Sequence, residues 1–187
     1  MKRREFIKVA GATVAGLSVT AYLPAGYARA QDKKWTIGFS QATTIEPWRA
    51  QFNKDIIAEA EKHPEVELII TDGEDRTEKQ VADVENLIRQ EVDALLISPK
   101  ESAGLTGVVE QAIDAGIPVF VLDRNVETDR YTQFVGGDNV LIGRAAGEWA
   151  VAALGGAGNA KGNVVEIWGG LGTQPAHDRH DGFHEFT

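Results

Sequence analysis

Short apolar runs alternate with segments of helical periodicity through the middle of this chain. The runs read as β-strands, and they cover residues 35–40, 66–71, 93–98 and 118–122. Between the runs, apolar residues recur three or four positions apart, which is typical of helices that cover a sheet. This pattern extends over residues 48–62, from Thr77 onward, and over 105–115. Thr77 is expected to cap the second of these helices. Repeated βα units predict an α/β fold with a parallel sheet and right-handed crossovers.

The fourth predicted strand ends in an acid and a base. The stretch Pro118-Val-Phe-Val-Leu-Asp-Arg124 has an apolar core that is typical of a strand buried on both faces. Ligands of open α/β sheets bind beyond the carboxyl ends of the strands, and Asp123 and Arg124 fall there. The pair is a candidate binding site, although a solvated surface ion pair has the same sequence.

Glycines divide the chain after the first domain. A short strand at 133–136 and a helix at 141–154 complete residues 31–154, which we predict to be one lobe. The run at 155–159 is rich in glycine and indicates a linker. A new strand at 163–168 and a helix beginning near Pro175 follow. We therefore predict that residues 155–187 are a linker and the first βα unit of a truncated second lobe.

The first thirty residues have the pattern of an export signal. A basic start, an apolar middle and the small-residue site Ala28-Arg-Ala30 are present. Arg3 and Arg4 match the twin-arginine motif, with Lys2 and Ile7 as departures from it. We predict twin-arginine export over the general secretory route, and cleavage over retention as a membrane anchor.

Charge and cysteine content exclude several functions. Without residues 1–30 the chain has 14 basic against 27 acidic side chains, a net charge of −13, so nucleic acid is not an expected partner. The sequence has no cysteine, which excludes disulfides, thiolate metal sites and cysteine nucleophiles.

Glycines and histidines near the end of the chain suggest cofactor or metal sites, but neither pattern is complete. Gly170 and Gly172 begin a G-x-G-x-x-G pattern, yet Pro175 stands at its third glycine. Three histidines share one helical face with Asp181, namely His177, His180 and His184. They could line a metal site, but a solvated polar face explains them equally well. We predict no cofactor, no metal and no catalytic residues, and hence no enzyme.

Polar groups and an aromatic ring collect at the predicted carboxyl edge of the sheet. Gln41 ends the first strand, and Trp48 and Arg49 begin the following helix, near Asp123 and Arg124. A tryptophan face matches the C–H face of a sugar, and Arg and Asp bind hydroxyls. These residues indicate a carbohydrate site, with Trp48 as a helix core residue the alternative.

Several stretches together resemble the periplasmic sugar-binding proteins of ABC transporters, in particular the ribose-binding and galactofuranose-binding branch. The resemblance covers residues 35–187 and rests on Gly38-Phe-Ser-Gln41, Trp48-Arg49, residues 92–98, residues 117–124, Asp138-Asn139, Asp178-Arg179 and Gly182-Phe183. It implies a periplasmic-binding-protein-like α/β fold, with a parallel sheet flanked by helices in each of two lobes that close on one sugar. The second lobe would be truncated here.

The resemblance also implies which residues bind the ligand. Asp123 and Arg124 match the family's Asp-Arg after strand four, and Arg179 matches an arginine of the second lobe. Trp48 and Arg49 match the galactofuranose-binding branch. Residues 43–47 depart from the resembled proteins, and Glu46 could pair with Arg49 instead of contacting a hydroxyl.

The implied function is capture of a monosaccharide, a pentose or hexose and possibly a furanose form, for an ABC permease. The protein would be a periplasmic monomer. Two other classes stay open: an effector domain of a lactose-repressor-like regulator or a sensor, and a flavodoxin-like or dehydrogenase-like enzyme. A regulator of that type needs a DNA-binding helix-turn-helix, and the enzyme needs phosphate-binding glycines after strand one.

Overall fold

The computed structural model describes residues 34–185 and contains a five-stranded sheet flanked by helices. The strands are β1 (Trp35–Gln41), β2 (Val66–Asp72), β3 (Ala94–Ser98), β4 (Val119–Leu122) and β5 (Gln133–Val135). The helices are α1 (Pro47–Ala60), α2 (Thr77–Arg89), α3 (Ser102–Asp114), α4 (Asn139–Ala153) and α5 (Gln174–His184). The predicted α/β fold is confirmed.

The sheet is parallel throughout and has the strand order β2-β1-β3-β4-β5. The chain builds outward from β1 in one direction to β2 and in the other to β3, β4 and β5. The order therefore reverses between β1 and β3, where Gln41 is paired with Ser98 at the carboxyl ends. Crevices at such a reversal are the usual ligand sites of open α/β sheets.

The core lies between β3, β4 and the two helices α2 and α3. Apolar strand side chains meet apolar faces of both helices, and each of the following is at most 2% exposed: Val84, Leu87, Leu95, Ile97, Leu105, Val108, Val109, Ala112, Val119 and Val121. Burying one such side chain contributes about 1.5–3 kcal/mol relative to leaving it exposed. This core holds the carboxyl ends of β3 and β4 in fixed positions.

Helices α4 and α5 cross at close range through two glycines. A Cβ added to Gly143 would collide with the backbone oxygen of Arg179, and one added to Gly182 would collide with that of Val140. Only residues without a side chain allow the two backbones to approach this far. The contact ties α5 to α4, while the assignment of residues 155–187 to a second lobe stays a prediction.

Three local predictions are corrected. Thr77 is the first residue of α2 and does not cap it, because the N-cap is Arg76 and no side chain bonds the helix end there. Helix α4 begins at Asn139 instead of residue 141, since the Asp138 side chain accepts a hydrogen bond from Leu141 N and caps an earlier start. Residues 163–168 form no strand, because no neighbouring strand among residues 34–185 pairs with them.

The predicted export signal at residues 1–30 lies outside the described residues. Within residues 34–185, none of the helices combines the length and apolar character needed to cross a bilayer.

Candidate functional site

Arg49 bridges the ends of the two strands where the strand order reverses. Although it lies in the first turn of α1, it is only 1% exposed. Its Nη1 donates to Gln41 Oε1 at 2.6 Å and to Ser98 Oγ at 2.8 Å. Its Nε donates to Glu46 Oε2 at 3.1 Å, and its Nη2 donates to Asp123 Oδ2 at 3.4 Å. The sequence left the role of Glu46 open, and here it pairs with Arg49.

This bonding explains how a charged group is tolerated in the interior. A buried guanidinium is costly unless carboxylates and acceptors surround it. Arg49 has two carboxylates and two neutral acceptors, and Gln41 is fixed in turn because its Nε2 donates to Asn53 Oδ1 at 2.9 Å. Gln41 and Arg49 therefore form a rigid polar floor at the carboxyl edge of the sheet.

The turn after β4 presents Asp123 and Arg124 above this floor. Asp123 has a φ of 65°, in the left-handed region that costs a non-glycine residue on the order of 1 kcal/mol. The turn is held by Asp123 N donating to Val135 O at 2.9 Å and Arg124 N donating to Leu122 O at 2.7 Å. Such conformations cluster at functional sites. The backbone bonds direct an acid and a base toward the same side of the sheet edge.

Arg124 is half-buried and only partly neutralised. Its Nη1 donates to Lys100 O at 3.1 Å, and its Nε lies 3.9 Å from Asp123 Oδ2. Burial, followed by repulsion from Arg49, lowers the pKa of Arg124, and attraction to Asp123 opposes this. An arginine stays protonated despite such a shift. A ligand oxygen that accepts a hydrogen bond from Arg124 therefore replaces the water that its guanidinium loses on burial.

A cavity of about 380 Å³ opens beside these residues. Asp123 and Arg124 line it from the turn after β4, Trp168 and Thr173 from the segment before α5, and Arg179 from α5 itself. Its volume falls within the usual range for small-molecule sites.

Arg179 is aimed by a hydrogen bond to α4. Its Nε donates to Asn139 Oδ1 at 2.9 Å, and Asn139 itself is only 5% exposed. Asn139 Nδ2 donates to Gly137 O at 3.2 Å, which fixes the orientation of the amide. The two cavity arginines, Arg124 and Arg179, thus come from segments 55 positions apart in the chain.

Trp48 lies on the surface of α1. It is 56% exposed and contacts Phe52 with ring centroids 5.3 Å apart, so the alternative that it is a core residue is wrong. The Arg49 guanidinium lies 5.6 Å from the Trp48 ring centroid. Three of the six predicted site residues line the cavity: Asp123, Arg124 and Arg179. Gln41 and Arg49 are buried beneath it, and Trp48 is not among the residues that line it.

Gln80 is a site-forming residue that the sequence analysis missed. It is fully buried in the first turn of α2, and its Nε2 donates to Ser98 O at 3.0 Å. Its Oε1 accepts a hydrogen bond from Lys100 N at 2.8 Å. The carbonyl oxygen of Lys100 in turn accepts the hydrogen bond from Arg124 Nη1. The sequence signal for this role was a polar residue on the apolar face of α2, near Val81 and Val84.

The arrangement suits binding of polyhydroxylated molecules. A guanidinium donates two hydrogen bonds in a fixed plane, and the carboxylate of Asp123 accepts from a neighbouring hydroxyl. Trp168 adds an apolar ring to the cavity wall. These features are typical of a ligand-binding site at the carboxyl edge of a parallel sheet.

Comparison with known proteins places the chain in a family. Residues 37–186 match the periplasmic binding protein domain family. Because the match covers most of the chain, the protein belongs to this family. The predicted family is therefore confirmed.

Two curated relatives are named as sugar-binding proteins. The chain is 39% identical over 153 residues to a galactofuranose-binding protein from Escherichia coli (strain K12), a match covering 80% of the chain and 47% of that protein. It is 37% identical over 156 residues to a ribose import binding protein from Bacillus subtilis (strain 168), covering 83% and 49%.

A solved structure gives the same result for the fold. The fructose-binding periplasmic domain of a hybrid two-component system superposes with a TM-score of 0.75 at 38% identity, covering 81% of this chain and 49% of that one. The chain spans about half the length of the curated relatives it matches.

Proposed function

We propose that the chain forms one lobe, and the beginning of a second, of an extracytoplasmic protein that captures a monosaccharide for an ABC importer. The observation that carries the proposal is the convergence of Asp123, Arg124 and Arg179 on one cavity of about 380 Å³. Sugar binding by relatives that are 37–39% identical supports it.

Within this proposal the ligand is a pentose or hexose, and a furanose form is included. Arg124 holds two ring or hydroxyl oxygens through its planar fork, while Asp123 accepts from an adjacent hydroxyl. Trp48, which is exposed at the start of α1 beside Arg49, offers its ring for stacking on the sugar, and Gln41 and Arg49 hold Asp123 from below. The galactofuranose-binding and ribose-binding relatives support this choice of ligand class.

The proposed mechanism is closure of two lobes around the sugar. Closure removes water from the cavity, so each hydrogen bond to a hydroxyl becomes stronger. The closed monomer then delivers its sugar to the permease in the membrane and performs no chemistry on it. Export to the periplasm by the twin-arginine route is part of the same proposal, supported by Arg3 and Arg4.

A thermal-shift screen tests the proposal. The protein is expressed from its complete reading frame, freed of endogenous ligand, and mixed with pentoses, hexoses and polyols. A ligand at a hundred times its Kd stabilises by about 2.7 kcal/mol, which gives a clear rise in Tm. Native mass spectrometry of the untreated protein should then show one sugar per chain. A bound nucleotide, or no shift with any sugar, would contradict the proposal.

A sensor function is a second candidate. The fructose-binding domain of a two-component system has the same fold at similar identity. Uptake of labelled sugar by cells that lack this protein distinguishes the two functions. Loss of uptake supports the importer, whereas unchanged uptake with a lost transcriptional response supports the sensor.

A further inference from the structure

Three potential metal ligands from two segments converge on one side of α5. His180 and His184 lie one helical turn apart, and Glu166 approaches them from the extended segment before the helix. One ligand atom from each of the three lies within 4.8 Å of the others. Glu166 Oε2 is 2.7 Å from His180 Nδ1 and 3.5 Å from His184 Nε2.

We propose that Glu166, His180 and His184 bind a divalent transition-metal ion of the zinc class. Two imidazole nitrogens and a carboxylate oxygen are ligands that zinc accepts, with a fourth position left for water. Tetrahedral zinc with bonds of about 2.0–2.2 Å places its ligand atoms roughly 3.3–3.6 Å apart. The Glu166–His184 distance already fits, and the Glu166–His180 pair needs to open by only a fraction of an ångström.

The surroundings favour these three residues over the third histidine of the helix. His177 Nε2 contacts Leu171 O at 2.7 Å, so this nitrogen already has a backbone partner. Trp168 lies against His180, with ring centroids 4.1 Å apart, and restricts the orientation of that imidazole. An imidazole whose orientation is restricted loses less freedom when it binds a metal.

The metal ligands differ from the sugar-binding groups of the proposed function, although Glu166 lines the same cavity as Asp123, Arg124 and Trp168. His180 and His184 are not among the residues that line this cavity. A zinc titration of sugar-free protein therefore measures metal binding on its own. The simpler alternative is a hydrogen-bonded Glu–His cluster that binds no ion.

Calorimetry with Zn²⁺ tests the proposal, using protein without a polyhistidine tag in a non-chelating buffer near neutral pH. We expect one zinc ion per chain. Glu166→Gln and His184→Ala should each weaken binding more than about tenfold, because losing even an outer-shell partner of a metal site costs about 10–100-fold. His177→Ala on the same helix is the matched control and should retain the wild-type zinc affinity.

A second measurement on the wild-type protein covers the case in which a variant does not fold. Diethylpyrocarbonate should modify His180 and His184 more slowly when Zn²⁺ is present, and His177 and His63 at an unchanged rate. No zinc binding by the wild type, equal affinities in the ligand and control variants, or uniform modification of the histidines would overturn the proposal.

Discussion

Arg49 and Asp123 form an ion pair, Nη2 to Oδ2 at 3.4 Å, that joins a buried guanidinium to a carboxylate on the cavity wall. The arginine side chain is 2% exposed and the aspartate 34%. One oxygen of Asp123 is thus held from beneath while the carboxylate still reaches the cavity. Arg49 thus positions a group of the proposed binding site without lining the cavity itself.

Replacing Arg49 should therefore destabilise the protein strongly. Arg49→Met removes the donor shared by Gln41, Ser98 and Asp123, and leaving a buried polar group without its partner costs about 1–3 kcal/mol. Denaturant unfolding measures the loss. Arg76→Met is the control, because Arg76 is paired with Glu74 on the surface and should cost less than about 1 kcal/mol. Equal costs for the two variants would contradict the assigned role of Arg49.

Arg124→Lys should weaken sugar binding by about 1–3 kcal/mol, because a lysine keeps the charge but loses the two-pronged contact with buried hydroxyls. Isothermal titration with the sugar found in the screen measures the change. Arg130→Lys, at an exposed pair with Asp114, should bind like the wild type. An unchanged Kd for Arg124→Lys would reduce Asp123 and Arg124 to a surface ion pair.

Trp48→Ala separates a stacking function from a packing function. Because the ring is 56% exposed, we expect a loss of less than about 1 kcal/mol in the unliganded protein, compared with about 3–5 kcal/mol for a core tryptophan. Sugar binding should nevertheless become weaker. Trp149→Ala, at a tryptophan that is 73% exposed on α4, should change neither quantity. Wild-type sugar affinity in Trp48→Ala would exclude the stacking function.

The contact between α4 and the end of α5 should depend on pH. A hydrogen bond from Arg144 is the largest influence on Glu185 and lowers its pKa, against a smaller effect of desolvation. A lowered carboxyl pKa means stabilisation that is complete above the unfolded-state pKa of about 4.3 and is lost as the pH falls through the folded-state value. NMR titration should give a higher pKa for Glu185 in Arg144→Gln than in the wild type. Glu59 is the control, because its pKa is lowered by Lys62 and should be the same in both proteins. The same Glu185 midpoint in both proteins would disprove the pairing.

Export should depend on the two arginines at the start of the chain. Replacing Arg3 and Arg4 together by lysine should abolish transport through the twin-arginine route, which requires this pair. Fractionation followed by immunodetection measures how much protein reaches the periplasm. Normal export of the double variant would show that the general secretory route is used.

The strands and most helices were predictable because their apolar patterns depend on local sequence. Asp123 and Arg124 were predictable for the same reason, since the end of a buried strand fixes where they lie. The burial of Arg49 and Asn53 could not be predicted in this way. On α1 these two polar residues occupy the inner face, whereas the apolar Ile57 is 41% exposed. Their partners Gln41, Ser98 and Asp123 come from three other segments, and no local pattern carries that information.

The predicted strand at 163–168 failed for a related reason. The segment is apolar apart from Asn163 and Glu166, yet Val165 and Ile167 are 87% and 93% exposed. A strand forms only where a neighbour supplies hydrogen bonds, and the described residues provide none at that position. The grouping of Glu166 with two histidines was equally invisible, since it depends on how this segment lies against α5.

The glycine crossing of α4 and α5 makes the shape of the cavity depend on residues that do not line it. Gly143 sets how near α5 can lie to α4, and Arg179 projects from that helix into the cavity while its Nε is bonded to Asn139. A methyl group at Gly143 would displace the backbone of Arg179 and with it the guanidinium that lines the cavity. The shape of the cavity is thus governed by a backbone spacing between two helices.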